Sequence, residues 1–327
     1  MKPTRIAFIA LALVLLTVAG AGCGRDDDGD EGATTTEASG GEQLSGRIQA
    51  DGSSTVGPFT TAAAERFRDE QPDVQITVGV SGTGGGFERF CRGETDLSNA
   101  SRPIKDEEAE ICEQKGIEFA EFQVANDALT VVVNTDNDWA TCLTVDQLKK
   151  IWEPGSKVKS WKDVDPSFPD EQLRLFGPGT DSGTFDYFTD EINGEEGASR
   201  SDYSASEDDN TIVTGVSGEK GGLGYFGFSY FEENQDTLKA LEIDGGDGCV
   251  APSAENAQQG RYTPLSRPLF IYAKKESFAR SEVEAFVRFA LDNETEIAEA
   301  AQFVPLTDEQ LTKAQADLDA AVEEAGP

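Results

Sequence analysis

Three short stretches of the chain combine glycine with hydroxyl residues, and each falls where a strand would end and a helix begin. The first is Asp51-Gly52-Ser53-Ser54-Thr55-Val56-Gly57-Pro58. The second is Ser81-Gly82-Thr83-Gly84-Gly85-Gly86-Phe87, and the third is Gly177-Pro178-Gly179-Thr180-Asp181-Ser182-Gly183-Thr184-Phe185. The first amides of a helix have no partner within it and lie at the positive end of its dipole. Side chains this small let an anion reach those amides, and Ser and Thr hydroxyls add further donors. Such turns could hold a tetrahedral oxyanion with no metal and no large basic patch. Any one of them also reads as an ordinary helix cap, so the weight lies in finding three in one chain. The second is not a nucleotide P-loop, because no Gly-Lys-Ser/Thr follows, and Phe87 stands where a dinucleotide fingerprint would need its third glycine.

The elements that must position these turns alternate between strand and helix. Arg47 to Ala50 reads as a strand, followed by a helix from Pro58 to Arg68 with Phe59, Ala63 and Phe67 on one face. Val74 to Val80 is a β-branched strand, and Phe87 to Arg92 a short helix. Ala128 to Asn134 holds the unbroken run Leu129-Thr130-Val131-Val132-Val133, as expected of a strand buried on both faces. Further on come a helix at Thr144–Trp152, a strand at Leu173–Phe176, a helix at Phe185–Ile192 and a strand at Leu269–Ala273. Helices at Ser281–Leu291 and Asp308–Glu324 complete the pattern. This alternation predicts an α/β protein with largely parallel strands, whose ligands bind beyond the C-terminal strand ends, where the three turns lie. The aromatic group Tyr225, Phe226, Phe228, Tyr230 and Phe231 reads as core packing rather than a sugar platform.

Composition narrows the chemistry. The chain has 327 residues, enough for two domains, and carries 27 basic against 62 acidic residues for a net charge of -35. Such a surface repels nucleic acid, and it also opposes capture of any anion, so attraction must be local. There is no histidine at all, which rules out the Ser-His-Asp and Cys-His designs and histidine metal sites. Neither a metal nor a cofactor is expected. Asp26-Asp27-Asp28-Gly29-Asp30 lacks the spacing of a calcium loop.

The N-terminus reads as an export signal over residues 1–22. Lys2 and Arg5 precede an apolar run from Ile6 to Val18, too short for a comfortable membrane span, and small residues lead to Cys23. Small residues before a cysteine resemble a bacterial lipoprotein processing site, with Gly20 where such sites carry Leu; Cys23 is therefore the expected lipidation point. Residues 23–43 are acidic and nearly free of large apolar side chains, as suits a flexible tether. Four cysteines remain, Cys91, Cys112, Cys142 and Cys249. An even number in an exported chain suggests two disulfides, and the residues alone leave three pairings open.

Taken in order, the three turns resemble those of the phosphate-binding proteins of ABC transporters, in the PstS/SphX-like group of the type II periplasmic-binding-protein fold. Asp96-Leu97-Ser98-Asn99-Ala100-Ser101-Arg102-Pro103-Ile104, the run from Leu143 to Trp152, Leu223-Gly224-Tyr225-Phe226-Gly227 and Phe303-Val304-Pro305-Leu306 strengthen the likeness, which covers about Gly46 to Val322. The resemblance implies two α/β lobes with mostly parallel central sheets flanked by helices, a hinge of crossing strands and a ligand in the cleft. Lobe 1 would hold residues 44–124 plus 265–327, and lobe 2 residues 125–264. The bridges that keep each disulfide within one lobe are Cys91–Cys112 and Cys142–Cys249.

Carried over residue by residue, the family's donors fall on Thr55 and Val56, with Ser54 beside them, on Thr83 in place of a family Ser, and on Ser182, Gly183 and Thr184. Two departures stand out. Well-known members place an Asp where this chain has Ser101, to accept the proton of hydrogen phosphate, and an Arg where it has Pro178. The SphX-like subgroup carries the Ser-Arg-Pro found here, so Arg102 is expected to supply a guanidinium fork. Asp127 is the leading proton acceptor, with Asp181, Asp51 and Asp96 as others; on that reading Asp127→Asn weakens phosphate more than sulfate.

The function this implies is capture of inorganic phosphate for an ABC importer. The protein would be a monomer, held outside the cell membrane by lipidated Cys23 alone or free in the periplasm, and would deliver to a permease and its ATPase. The other classes weighed are a binder of sulfate, molybdate or tungstate, a surface sensor or adhesin, and a secreted phosphatase. The last lacks the usual nucleophile with its base.

Overall fold

A computed structural model of the chain describes residues 43–326 with the exception of Asp181. The proposed signal, the lipidation point Cys23 and the acceptor candidate Asp181 lie outside the described residues. The strands are, in order, β1 (Ser45–Gly52), β2 (Asp73–Val78), β3 (Leu97–Ala100), β4 (Phe119–Asn134), β5 (Cys142–Thr144), β6 (Arg174–Pro178) and β7 (Ser204–Ser206). They continue with β8 (Gly222–Gly227), β9 (Leu238–Ala240), β10 (Glu242–Asp244), β11 (Cys249–Val250) and β12 (Ser266–Lys274). The large sheet runs β2-β1-β3-β12-β4-β8-β6-β7, with β9 also on β4, and a small sheet runs β11-β10-β5. Helices flank it, as expected of an α/β chain.

Parallel pairing holds on both flanks, β2-β1-β3 on one and β8-β6-β7 on the other. Between them the two long strands β12 and β4 pair antiparallel with each other and with their neighbours β3 and β8. β4 has 16 residues, far longer than the apolar run that announced it. Its first half pairs with β12 and its second half, Leu129 to Val133, with β8. The hydrophobic core divides along these strands. One cluster gathers Ile48, Phe59, Phe67, Phe122 and Phe286 and reaches Ala125 on β4 and Leu269 on β12. A second large cluster gathers Trp152, Trp161, Phe188 and Tyr225 and begins at Leu129 and Leu265, with smaller clusters around Phe87, Phe226 and Phe228. Between the clusters each strand carries polar residues, Asn126 and Asp127 on one, Ser266 and Arg267 on the other.

Pro268 lies in this seam, and the ladder shifts register just after it, between Leu269 and Phe270. A proline has no N–H to give, so it sits within a sheet only at such an irregularity. Asn126, opposite Pro268, instead exchanges both backbone hydrogen bonds with Val304, at 2.8 and 2.9 Å.

Local chemistry sets the helices that matter. Helix α1 (Gly57–Glu70) opens with Pro58 in its first turn and buries Phe59, Ala63 and Phe67 at four-residue spacing. Helix α2 (Gly82–Cys91) begins five residues earlier than the apolar residues suggested, at the glycine run itself. That run costs helix propensity, but it permits close packing. A Cβ on Gly86 would lie 2.5 Å from the Gly52 Cα, so only glycine lets α2 rest on the end of β1. The third turn leads into a short helix, Gly183–Phe188, which continues as a π-helical turn over Thr189–Asn193. Disulfides join Cys91 to Cys112, from α2 to helix α3 (Asp106–Gln114), and Cys142 to Cys249, across the small sheet.

Candidate functional site

The turns after β1 and β6 meet each other. A Cβ added to Gly183 would lie 3.0 Å from Thr55 Oγ1 and 3.4 Å from the Thr55 nitrogen. A side chain there would press on Thr55, so glycine suits the point where the third turn touches the first. Ser53 shapes the first turn: its N–H donates to Asn99 O at 2.9 Å, and its carbonyl accepts from Gly57 N at 3.0 Å. In the second turn Thr83 Oγ1 lies 3.0 Å from Ser101 Oγ and accepts the Ser101 N–H at 3.2 Å. That pair ties the start of α2 to the loop after β3. In the third, Ser182 Oγ accepts the Thr184 N–H at 3.2 Å. All three turns line one open cavity of about 430 Å³, to which Thr55, Thr83, Ser101, Arg102, Gly183 and Arg267 contribute.

Arg267 is the residue the sequence reading missed. It sits on β12 in register with Asp127 on β4, at the polar seam between the two cores. Its Nε donates to Asp127 Oδ2 at 3.2 Å, and its Nη2 donates to Thr55 Oγ1 at 2.9 Å. Its Cζ lies 3.5 Å from the centre of the Tyr187 ring, whose hydroxyl is held by the Pro264 carbonyl at 2.6 Å. A guanidinium fixed at its Nε end and stacked on a ring has lost most of its freedom before any ligand arrives. Its outer nitrogens are left toward Thr55 and the cavity, the arrangement needed to grip two oxygens of an anion. The signal in the sequence was Arg-Pro at the start of an otherwise apolar strand: a charge entering a core needs a partner, and the proline marks a break in the ladder.

The expected site residues fall as follows. Ser54 and Thr55 line the cavity, as do Thr83 and Gly183. Val56 is fully buried behind them, its N–H facing Ser53 Oγ at 3.4 Å. Arg102 also lines the cavity, but both its outer nitrogens donate to the Glu108 carboxylate at 2.8 Å. This fork is already engaged, and the guanidinium lies over Phe87 at 5.7 Å. Asp127 and Thr184 border an adjoining cavity of about 200 Å³ that shares Ser54, Thr55 and Gly183 with the first. Ser182 is the cap of its helix. Asp51 is turned away, accepting the Gly52 N–H and pairing with Arg89. Asp96 is likewise engaged, by the Gln49 N–H, Ser277 and Arg280.

Electrostatics in the cavity are mixed. Arg267, Arg102 and Lys105 face Asp186, Asp190, Glu191 and Glu196. Burial pushes the Asp127 carboxyl above its ordinary range, against the pull of Arg267. Burial also raises Asp186, with Glu196 adding to the shift, and raises Glu191, with Asp190 adding. Arg267, paired with the buried Asp127, is the cation on the first turn, and Arg102 is the one beside the second.

Helices flanking a sheet crossed by two long strands, with an open polar cavity between glycine-rich turns, define a solute-binding protein of the periplasmic type. The chain belongs to the PBP superfamily, whose domain matches residues 33–294, and within it to the PstS/SphX group. It is 49% identical over 270 residues to Protein SphX of Synechococcus elongatus, covering 82% of this chain and 80% of that one. It is 41% identical over 276 residues to the phosphate-binding protein PstS of Staphylococcus saprophyticus, covering 84% and 85%. The crystal structure of a possible phosphate-binding protein from Planctomyces limnophilus superposes with a TM-score of 0.82 at 47% identity, over 85% of this chain and 99% of that one.

Proposed function

We propose that this protein captures inorganic phosphate outside the cell and delivers it to an ABC importer, as a binding protein and not as an enzyme. The observation that carries this is the convergence of three donor turns and the clamped Arg267 on one cavity. Its donors are neutral amides and hydroxyls plus one guanidinium, which suits a small tetrahedral anion in a chain of net charge -35. The relatives named phosphate-binding proteins support the same ligand. Thr55 Oγ1 accepts a hydrogen bond from the Arg267 guanidinium, a group that cannot take up its proton.

On this reading the polar seam of β4 and β12 is the hinge. Lobe 1 is 44–124 with 265–327, lobe 2 is 125–264, and closure brings Gly183 against Thr55. The ligand contacts are Ser54, Thr55, Thr83, Gly183 and Thr184, with Ser182 holding its turn and Arg267 joining the set; Val56, expected among them, is buried with its N–H on Ser53 Oγ and backs the first turn. Arg102, braced by Glu108, serves the rim, and Asp127 serves through Arg267. A permease with its ATPase receives the ligand, and lipidated Cys23 tethers the protein to the outer face of the membrane. No helix among the described residues is long and apolar enough to cross a membrane. Isothermal titration of the purified protein with phosphate, sulfate and molybdate tests the reading. It expects saturable one-to-one binding of phosphate, and heat from sulfate or molybdate with none from phosphate would overturn it.

A further inference from the structure

Away from the crossing strands, three hydrogen bonds among the described residues join the two lobes, and each involves the segment from Gln302 to Gln310. Ser229 Oγ donates to the Gln302 carbonyl at 2.9 Å. Gln258 Nε2 donates to the Pro305 carbonyl at 2.9 Å, and the Gln258 carbonyl accepts from Gln310 Nε2 at 3.2 Å. Ser229 and Gln258 stand on the short lobe 2 helices Phe228–Glu233 and Ala254–Gln258, whereas the segment belongs to lobe 1. These contacts are of two kinds. Val304 packs with Ala128, Phe228 and Ala257, and its backbone is fastened to Asn126 of β4, so that part stays with the hinge strand. The Ser229–Gln302 bond lies toward the cleft, since Gln302 borders the adjoining cavity together with Thr55, Asp127 and Thr184. On its other side a cavity of about 230 Å³ is bordered by Ser229, Gln302 and Phe303. A single bond with open space on both sides can part without disrupting a core.

Gln302 is unusual in a second way. At φ 65° it is the one non-glycine residue of positive φ among the described residues. It follows the helix Glu294–Ala300, and its N–H and that of Phe303 return to the Glu299 and Ala298 carbonyls at 3.0 and 2.8 Å. Glycine is the usual residue at such a helix end, because the left-handed region disfavours a side chain. The turn leaves the Gln302 carbonyl outside the helix, where Ser229 receives it. Backbone strain of this kind tends to be kept where parts of a protein must meet in one arrangement.

We propose that Ser229 is a positioning residue for anion capture that never touches the anion: its hydrogen bond to Gln302 forms as the lobes close and so tightens the hold on the ligand. This rests on the two-lobed phosphate reading above and deepens it. A contact made equally in the open and closed forms adds to stability and leaves affinity alone. A contact made only in the closed form favours the same state as the ligand, and its loss lowers affinity by the fraction of closed protein it sustained. The two roles therefore differ in which measurement they move.

The test is calorimetric titration of the full-length wild-type protein, Ser229→Ala and Ser229→Thr with inorganic phosphate, beside ligand-free thermal melts. Ser229→Ala removes the donor and is expected to weaken phosphate about 3- to 10-fold, with the ligand-free melting temperature within about a degree of wild type. Ser229→Thr keeps a hydroxyl and is expected to bind within about twofold of wild type. Phosphate affinity of Ser229→Ala within about twofold of wild type would overturn the proposal, whatever the melting temperature. Equal weakening in Ser229→Ala and Ser229→Thr would also overturn it, because the hydroxyl would then not be the agent. A wild type that does not bind phosphate would fail earlier, at the oxyanion reading itself.

Discussion

Replacing Arg267 by methionine separates its two duties. Methionine keeps much of the stem but removes the donors to Asp127 at 3.2 Å and Thr55 at 2.9 Å, and the cation stacked 3.5 Å from the Tyr187 ring. Two charge-assisted hydrogen bonds to the anion are lost, together about 3–5 kcal/mol, or roughly a hundred- to several-thousand-fold in Kd. The second consequence falls on Asp127, which is 7% exposed and then has no partner. An unpaired buried carboxylate costs about 1–3 kcal/mol, less than a fully enclosed ion because the pair borders a cavity. Burial already raises this carboxyl in the folded state, so the folded protein holds its proton to higher pH than the unfolded chain. The stability lost is therefore larger at about pH 8 than at about pH 5, where Asp127 can be neutral. Titration calorimetry with phosphate reads the first effect, and ligand-free thermal melts across pH read the second. Phosphate affinity within about threefold of wild type, with a uniform loss of stability across pH, would show that Arg267 is neither the anion's cation nor the partner that keeps Asp127 charged.

Other expectations follow from single contacts. Gly183→Ala places a methyl 3.0 Å from Thr55 Oγ1, where the first and third turns meet, so phosphate affinity falls about tenfold or more while the melting temperature holds within a degree or two. An unchanged Kd in titration would show that the two turns need not approach. Glu294 is 1% exposed, its Oε1 accepts the Leu306 N–H at 2.9 Å, and burial raises its carboxyl to about 7. A raised carboxyl gives stability that is present below its unfolded value, near 4.5, and lost as pH rises through about 7. Glu294→Gln therefore flattens the fall in denaturant-measured stability over that window by at most about 3 kcal/mol, and an undiminished fall would assign it to other groups. Replacing Cys142 and Cys249 together by serine opens a loop of 107 residues and lowers stability by about 2–5 kcal/mol with phosphate affinity unchanged, because the bridge lies in the small sheet away from the cavity. Equal denaturation midpoints would contradict this.

The donor turns were legible because their chemistry is local. Glycine and hydroxyl residues at strand ends announce turns wherever they occur, and Ser54, Thr55, Thr83 and Gly183 line one cavity. The periodic segments were legible for the same reason: Phe59, Ala63 and Phe67 face one core. What could not be read was set by partners distant in sequence. β4 was recognised only from Ala128 onward, because Gln123, Asn126 and Asp127 interrupt the apolar run; they belong to the strand since β12 and Val304 answer them from about 140 and 180 residues away. The start of α2 was hidden by propensity, since three consecutive glycines argue against a helix until the close approach of Gly86 to Gly52 is known. Arg102 and Arg267 are each an arginine before a proline. Only the fold shows that the first is met by Glu108, six residues on, and the second by Asp127 and Thr55 across the seam.

The central claim concerns a place, so the most direct measurement is a crystal structure of the protein grown with arsenate, located by its anomalous signal. The account predicts one arsenate in the cavity, bridged by the Arg267 guanidinium, with Thr55 Oγ1, Thr83 Oγ1 and the Gly183 amide within about 3 Å of its oxygens. An arsenate bound anywhere else, or one in the cavity while Arg267 remains turned to other partners, would contradict it.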